Sequence, residues 1–177
     1  MQKISPMLWF DDQAEAAADH YISVFSKRPG QNRGDSKILD ISRYGEAGPG
    51  PMGSVMVVRF QLEGQEFTAL NGGAQPFAFS EAISFVITCE NQEEVDYFWA
   101  ALSRGGEEGP CGWLKDRFGL SWQVVPKELE EMLNNPDQQK AQRAMKAMLG
   151  MKKLDLPELQ RAFSGEPMEP KLAARRP

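Results

Sequence analysis

The stretch Cys111-Gly112-Trp113-Leu114-Lys115-Asp116-Arg117-Phe118-Gly119-Leu120-Ser121-Trp122-Gln123-Val124-Val125-Pro126 reads as a β-hairpin. Two apolar strands flank a turn at Asp116-Arg117-Phe118-Gly119. Strand side chains alternate between faces, so Leu120, Trp122 and Val124 fall together while Ser121, Gln123 and Val125 fall opposite. The first set suits a packed core. The second carries a hydroxyl and an amide.

Upstream of the hairpin, residues 82–89 read as a strand and Asn91 as a helix N-cap, with Glu94 its capping-box partner. Val95, Phe98, Trp99 and Leu102 recur at helical spacing, and Gly105-Gly106 closes the helix. A short extended piece is expected near Glu107 and Glu108. The same order stands earlier in the chain. Residues 3–10 predict a strand, and Asp12 with Glu15 predicts a second capping box. A helix over 13–26 follows, with Ala14, Ala18, Tyr21, Ile22 and Phe25 as its buried stripe. Strands are expected over 37–44, 54–62 and 65–71. Glu63-Gly64 turns the last pair, and residues 45–53 form a Gly/Pro-rich loop expected to be mobile. Aligning Asp12 with Asn91 also matches Gln13 with Gln92, Glu15 with Glu94 and Ser5 with Ser84. The chain therefore reads as an internal repeat of strand, helix and three strands.

Downstream, residues 127–134 predict one or two helical turns. Asn135 is expected to cap a helix from Pro136 to Leu149, with Ala141, Ala144, Met145, Met148 and Leu149 on its apolar side. Asp155 and Glu158 open a last helix to Phe163. Prolines and mixed charge predict disorder over 164–177. The expected organisation is one domain over 1–163, with a first module at 1–73, a second at 82–126 and C-terminal helices at 127–163.

A net charge of −5 argues against a nucleic-acid partner, which needs a basic face. The two cysteines, Cys89 and Cys111, lack metal-type spacing and fit a reducing, cytoplasmic setting. Lys115 and Arg117 could activate Cys111, but a buried inert thiol is the plainer reading. No apolar run approaches the roughly 20 residues of a membrane helix, and no signal peptide is evident. The single histidine, His20, excludes a site with several histidine ligands from one chain.

Several blocks taken together resemble the PhnB-like family of the vicinal oxygen chelate superfamily, which includes glyoxalase I, bleomycin-resistance proteins and extradiol dioxygenases. They are Leu8-Trp9-Phe10-Asp11, Tyr21 with Val24-Phe25, Phe67-Thr68-Ala69-Leu70-Asn71-Gly72-Gly73, Ser84-Phe85-Val86 and the hairpin. The resemblance implies an α+β fold in which two βαβββ modules form a curled sheet around an open cavity. Metal-dependent members carry ligands on the first and fourth strands of each module. Those positions fall here on Pro6, Ala69, Phe85 and Gln123, and a one-residue slip introduces no histidine, aspartate or glutamate. No metal and no other cofactor is therefore expected.

The resemblance places Phe67, Ala69, Asn71, Phe85, Trp113, Ser121 and Gln123 as candidate ligand-binding residues. Aromatic walls with a few polar groups are what small-molecule pockets use. The expected function is metal-independent binding of a small, partly apolar molecule. The alternative is a metal-independent isomerase or lyase whose base comes from a loop, the tail or a partner subunit. The family is sometimes labelled a demethylubiquinone methyltransferase, but both strand-to-helix joints, Phe10-Asp11-Asp12 and Cys89-Glu90-Asn91, lack the glycine of a Rossmann-type loop. Met132, Met145, Met148 and Met151 in the tail helices are expected to pack on the domain or on a second subunit, and the family's habit of pairing suggests a homodimer.

Overall fold

Strand β1, Met7–Phe10, starts directly after Pro6, later than the expected residue 3. Proline offers no ladder donor, but its carbonyl accepts from Thr68 N at 3.0 Å. The computed structural model describes residues 3–30 and 35–166. It falls into two compact units, Met1–Phe79 and Ser80–Pro177, and the C-terminal helices belong to the second. The expected disorder over 164–177 lies outside the described residues from 167 onward. Ser164 to Glu166 instead finish a helix, with Gly165 in the left-handed conformation.

In the first unit, β1 is followed by α1 (Ala14–Ser26), β2 (Lys37–Arg43), β3 (Val55–Leu62) and β4 (Gln65–Asn71). The sheet order is β1-β4-β3-β2, with β1 parallel to β4 and the other pairs antiparallel. Leu8, Phe10, Val58, Phe60, Phe67 and Ala69 are buried with Ala14, Ala17, Ala18, Tyr21, Val24 and Phe25 of α1. Tyr21 stacks on Phe60 at 6.3 Å between centroids, and Phe60 on Phe67 at 5.3 Å. Each such aromatic buried contributes roughly 1.5–3 kcal/mol. Ile22, expected in the stripe, is only half-buried.

The expected capping box at Asp12 does not form. The cap position of α1 is Gln13, without a side-chain bond. Instead Asn71 Oδ1 accepts from Ala14 N at 2.8 Å. The parallel register pairs Phe10 with Asn71, so the end of β4 lies beside the start of the helix, and an amide from β4 reaches it first. Asn71 Nδ2 also donates to Val55 O at 3.0 Å, and Asn71 O accepts from Tyr44 Oη at 2.5 Å. The loop over 45–53, expected to be mobile, is folded onto Tyr44. Gly53 N donates to Tyr44 O, and a Cβ at Gly50 would come within 2.4 Å of the Tyr44 ring. Gly72 is likewise required, because the Trp9 ring lies over it and a Cβ there would meet the ring at 2.1 Å.

The second unit repeats the plan with β5 (Phe85–Cys89), α2 (Gln92–Ser103), β6 (Glu107–Glu108), β7 (Trp113–Lys115) and β8 (Ser121–Pro126). Its order, β5-β8-β7-β6, again sets the first strand parallel to the last. Here the cap forms as expected: Asn91 Oδ1 accepts from Glu94 N at 3.0 Å, while Glu94 Oε2 accepts from Glu90 N. Val95, Phe98, Trp99 and Leu102 of α2 are buried, as are Leu114, Leu120, Trp122 and Val124 of the hairpin. The hairpin turn is held by Asp116, only 2% exposed. Its Oδ1 accepts from Phe118 N and Leu120 N, and its Oδ2 accepts from Trp122 Nε1 at 2.8 Å. One carboxylate thus shapes the turn and fixes the indole under the sheet.

Helices α3 (Lys127–Leu133), α4 (Gln138–Leu149) and α5 (Leu156–Ser164) enclose their own core of Leu129, Met132, Ala144, Met151, Leu154, Leu156 and Leu159. Asp137, not Asn135, caps α4, because Asn135 Oδ1 is taken by Asp137 N. Asp155 caps α5 through Glu158 N, as expected. Leu149, expected on the apolar side of α4, is 64% exposed. Among the described residues, no helix is long and apolar enough to cross a membrane.

Removing either polar hub leaves buried donors without partners. Asp116→Ala is expected to cost about 2–4 kcal/mol, since it strands two backbone amides and an indole N–H. Asn71→Ala is expected to cost about 1–2 kcal/mol, the range of a lost cap. Urea unfolding of each variant measures both, and wild-type midpoints would refute the hub roles.

Candidate functional site

On the second sheet, the antiparallel register sets Trp113 opposite Gln123 and Lys115 opposite Ser121. These four residues share the face turned away from α2. Trp113 and Lys115 are half-buried there, and with Ser121 they line a pocket of about 320 Å³. Pro110, Leu114, Glu81, Glu107 and Glu108 complete its wall. Ser121 is 1% exposed, and its Oγ has no hydrogen-bond partner. A buried hydroxyl without a partner is costly, and a ligand atom could satisfy it. Gln123 Nε2 donates to Ser84 Oγ at 2.9 Å, which ties β8 to the approach of β5.

The charged groups of the wall are partly committed. Lys115 Nζ pairs with Glu81 at 2.6 Å. The hydrogen bond from Lys115 holds the Glu81 carboxyl below its usual value, and the bond to Glu81 raises Lys115. The pair is thus charged across the neutral range and opens as acid protonates Glu81. Lys115 is engaged here rather than with Cys111, which is half-buried. Glu108 Oε1 accepts from Trp99 Nε1 at 3.0 Å. Glu107, opposite Lys115, is exposed.

The structure separates the remaining expected residues. Phe67 and Ala69 are 5% and 0% exposed and lie in the core beneath α1, so they cannot wall a cavity. The reason is strand parity: Leu8 pairs with Ala69 and Phe60 with Phe67, which puts all four on the helix side. Phe85 is half-buried with its ring 5.5 Å from Trp122, again on the core side. Asn71 is a structural hub, although it also edges a cavity of about 540 Å³ in the first unit, beside Asp11, Asp12, Glu15 and Tyr44. His20 lies on α1, its ring 5.8 Å from that of Tyr21. Ser84, Glu81 and Glu107 were not found from sequence. Glu107 gave a faint signal as part of a short extended piece, and Glu81 and Ser84 gave none as ligand contacts.

The donor set does not fit a metal. Of the four positions the resemblance implies, Pro6 has no side-chain donor, Ala69 and Phe85 are apolar, and Gln123 offers one neutral amide oxygen, a poor ligand alone. Among the described residues no three histidine, cysteine, aspartate or glutamate side chains come together as a metal site.

Comparison with known proteins agrees with this architecture. The family model described as 3-demethylubiquinone-9 3-methyltransferase matches residues 2–125. The solved structure of a PhnB protein from Bacillus cereus, which carries the same methyltransferase description, is 36% identical. It aligns over 71% of this chain and 99% of its own, with a TM-score of 0.60. Protein PA1353 from Pseudomonas aeruginosa shares the fold at 20% identity and a TM-score of 0.56, over 72% of this chain and 98% of its own. No curated protein matches. With two βαβββ units in hand and a family match over most of both, the chain belongs to the PhnB-like family that bears the 3-demethylubiquinone-9 3-methyltransferase name.

Proposed function

We propose that the chain binds a small, partly apolar molecule on the open face of its second sheet, without a metal. The observation that carries this reading is the Ser121 hydroxyl, buried and without a partner, at a pocket walled by Trp113 and Pro110. An aromatic wall with one unsatisfied polar group is the pattern of a small-molecule site. Gln123 steadies the neighbouring strand through Ser84 and is a positioning residue. A thermal-shift screen of aromatic and amphiphilic compounds is expected to yield stabilisers. Trp113→Ala is expected to weaken the best of them about two- to tenfold, since a stacked aromatic contributes about 0.5–1.5 kcal/mol. Wild-type affinity in that variant would remove the pocket from consideration.

One observation favours a second reading, a metal-independent isomerase or lyase. The pocket has a carboxylate, Glu107, on the edge strand two strands from the hydroxyl, where a general base could stand. Any turnover found should fall a hundredfold or more in Glu107→Gln. Unchanged turnover would eliminate this version of catalysis.

Methyl transfer finds less support. Each sheet has four strands and one parallel pair, not a doubly wound parallel sheet. The two helix starts are occupied by the Asn71 and Asn91 side chains. A Rossmann-type cofactor site needs that space and a glycine-rich joint.

We also propose a homodimer in the cytoplasm. Both cysteines are free of disulfides, which suits a reducing compartment. Met7, Ile83 and Val86 are 62%, 72% and 57% exposed, apolar surface that a second copy would bury. Light scattering at micromolar concentration should give twice the 19.8 kDa chain mass. A monomer mass would exclude the dimer.

A further inference from the structure

The pocket's charge narrows its ligand class. This step rests on the binding reading above and asks only what that site prefers. Glu81 and Glu107 line the pocket with Glu108 adjacent, against a single ammonium, Lys115. Lys115 is already neutralised by Glu81 at 2.6 Å. An anion would have to displace Glu81 from Lys115 and then sit near Glu107, which opposes it by like-charge repulsion. A cation meets the Lys115 ammonium as well, but the three carboxylates of the wall, Glu81, Glu107 and Glu108, outnumber it. The cation finds Glu107 exposed on the edge strand, where it shares the field of Lys115 with Glu81, and the Trp113 ring on the same wall. Indole faces attract organic cations, most strongly where water is partly excluded. The acidic groups alone would be an ordinary solvated edge. The Ser121 hydroxyl, 1% exposed and without a partner at the same pocket, is the independent sign that a ligand belongs there.

We infer that the pocket takes an amphipathic organic cation, an ammonium on an aromatic or branched apolar body, with its charge between Trp113 and Glu107 and a polar atom for Ser121. The carboxylates thereby act as a filter: they admit the protonated amine and turn away a carboxylate of the same shape.

The test compares three probes with one body and three charges: 2-phenylethylammonium, 2-phenylethanol and 3-phenylpropanoate, titrated calorimetrically into the full chain at neutral pH. The ammonium is expected to bind about tenfold tighter than the alcohol. Its affinity should fall with added sodium chloride, and by about threefold in Glu107→Gln. If the propanoate binds as tightly as the ammonium, and Trp113→Ala weakens both, the cation preference is wrong and the pocket stands. If none of the three binds saturably, the pocket reading and the charge preference fall together. A melting temperature for Glu107→Gln equal to wild type separates lost charge from lost fold.

Discussion

In each unit the first strand lies parallel to the last, and most of what the two units do follows from that pairing. A parallel neighbour must be reached by a long crossover, so a helix has to intervene and cover one face. The helix consumes one side of the sheet as core and leaves the other open. The same pairing brings the end of the fourth strand level with the start of the helix, which is why Asn71, far away in sequence, caps α1. In the second unit the equivalent neighbours are β5 and β8, and the amide of Gln123 reaches Ser84 just before β5.

Polar side chains inside this arrangement serve mainly to fix the backbone. Asp116 accepts from two amides and an indole, and Asn71 bonds one helix end and one strand. Such groups are expensive to bury and specific once satisfied. Against that background an unsatisfied group stands out. Ser121 sits two strand positions from Gln123 on the same face, yet has no partner of its own.

The repeat, the hairpin and the second capping box were legible in the sequence because each depends on neighbours a few residues apart. Leu120, Trp122 and Val124 alternate cleanly, and Asn91 stands three residues from Glu94. The failures share a cause. Asp12 was a reasonable cap by local pattern, but a competing amide arrived from a strand almost sixty positions later. The resemblance put Phe67 and Ala69 on the cavity side, and the strand's own sequence does not say which of its faces is core; only pairing with Leu8 and Phe60 decides it. Glu81 became part of the site wall through a long-range ion pair, which no spacing encodes. In the site itself, the alternation in β8 correctly put Ser121 and Gln123 on one face. The charge around them came from elsewhere in the chain.

The C-terminal helices are joined to the hairpin by its own backbone. Cys111 N and Gly112 N donate to Met151 O and Lys152 O, both at 2.7 Å, and the Gln92 side chain bridges Leu154 O and Leu156 N. The family match stops at residue 125, whereas the hydrogen bonding does not. What looks in alignment like an appendage is thus woven into the start of the very strand that carries Trp113. That strand's entry cannot be lengthened or retuned without breaking its bonds to the tail, so the part of the chain beyond the family match constrains the part within it.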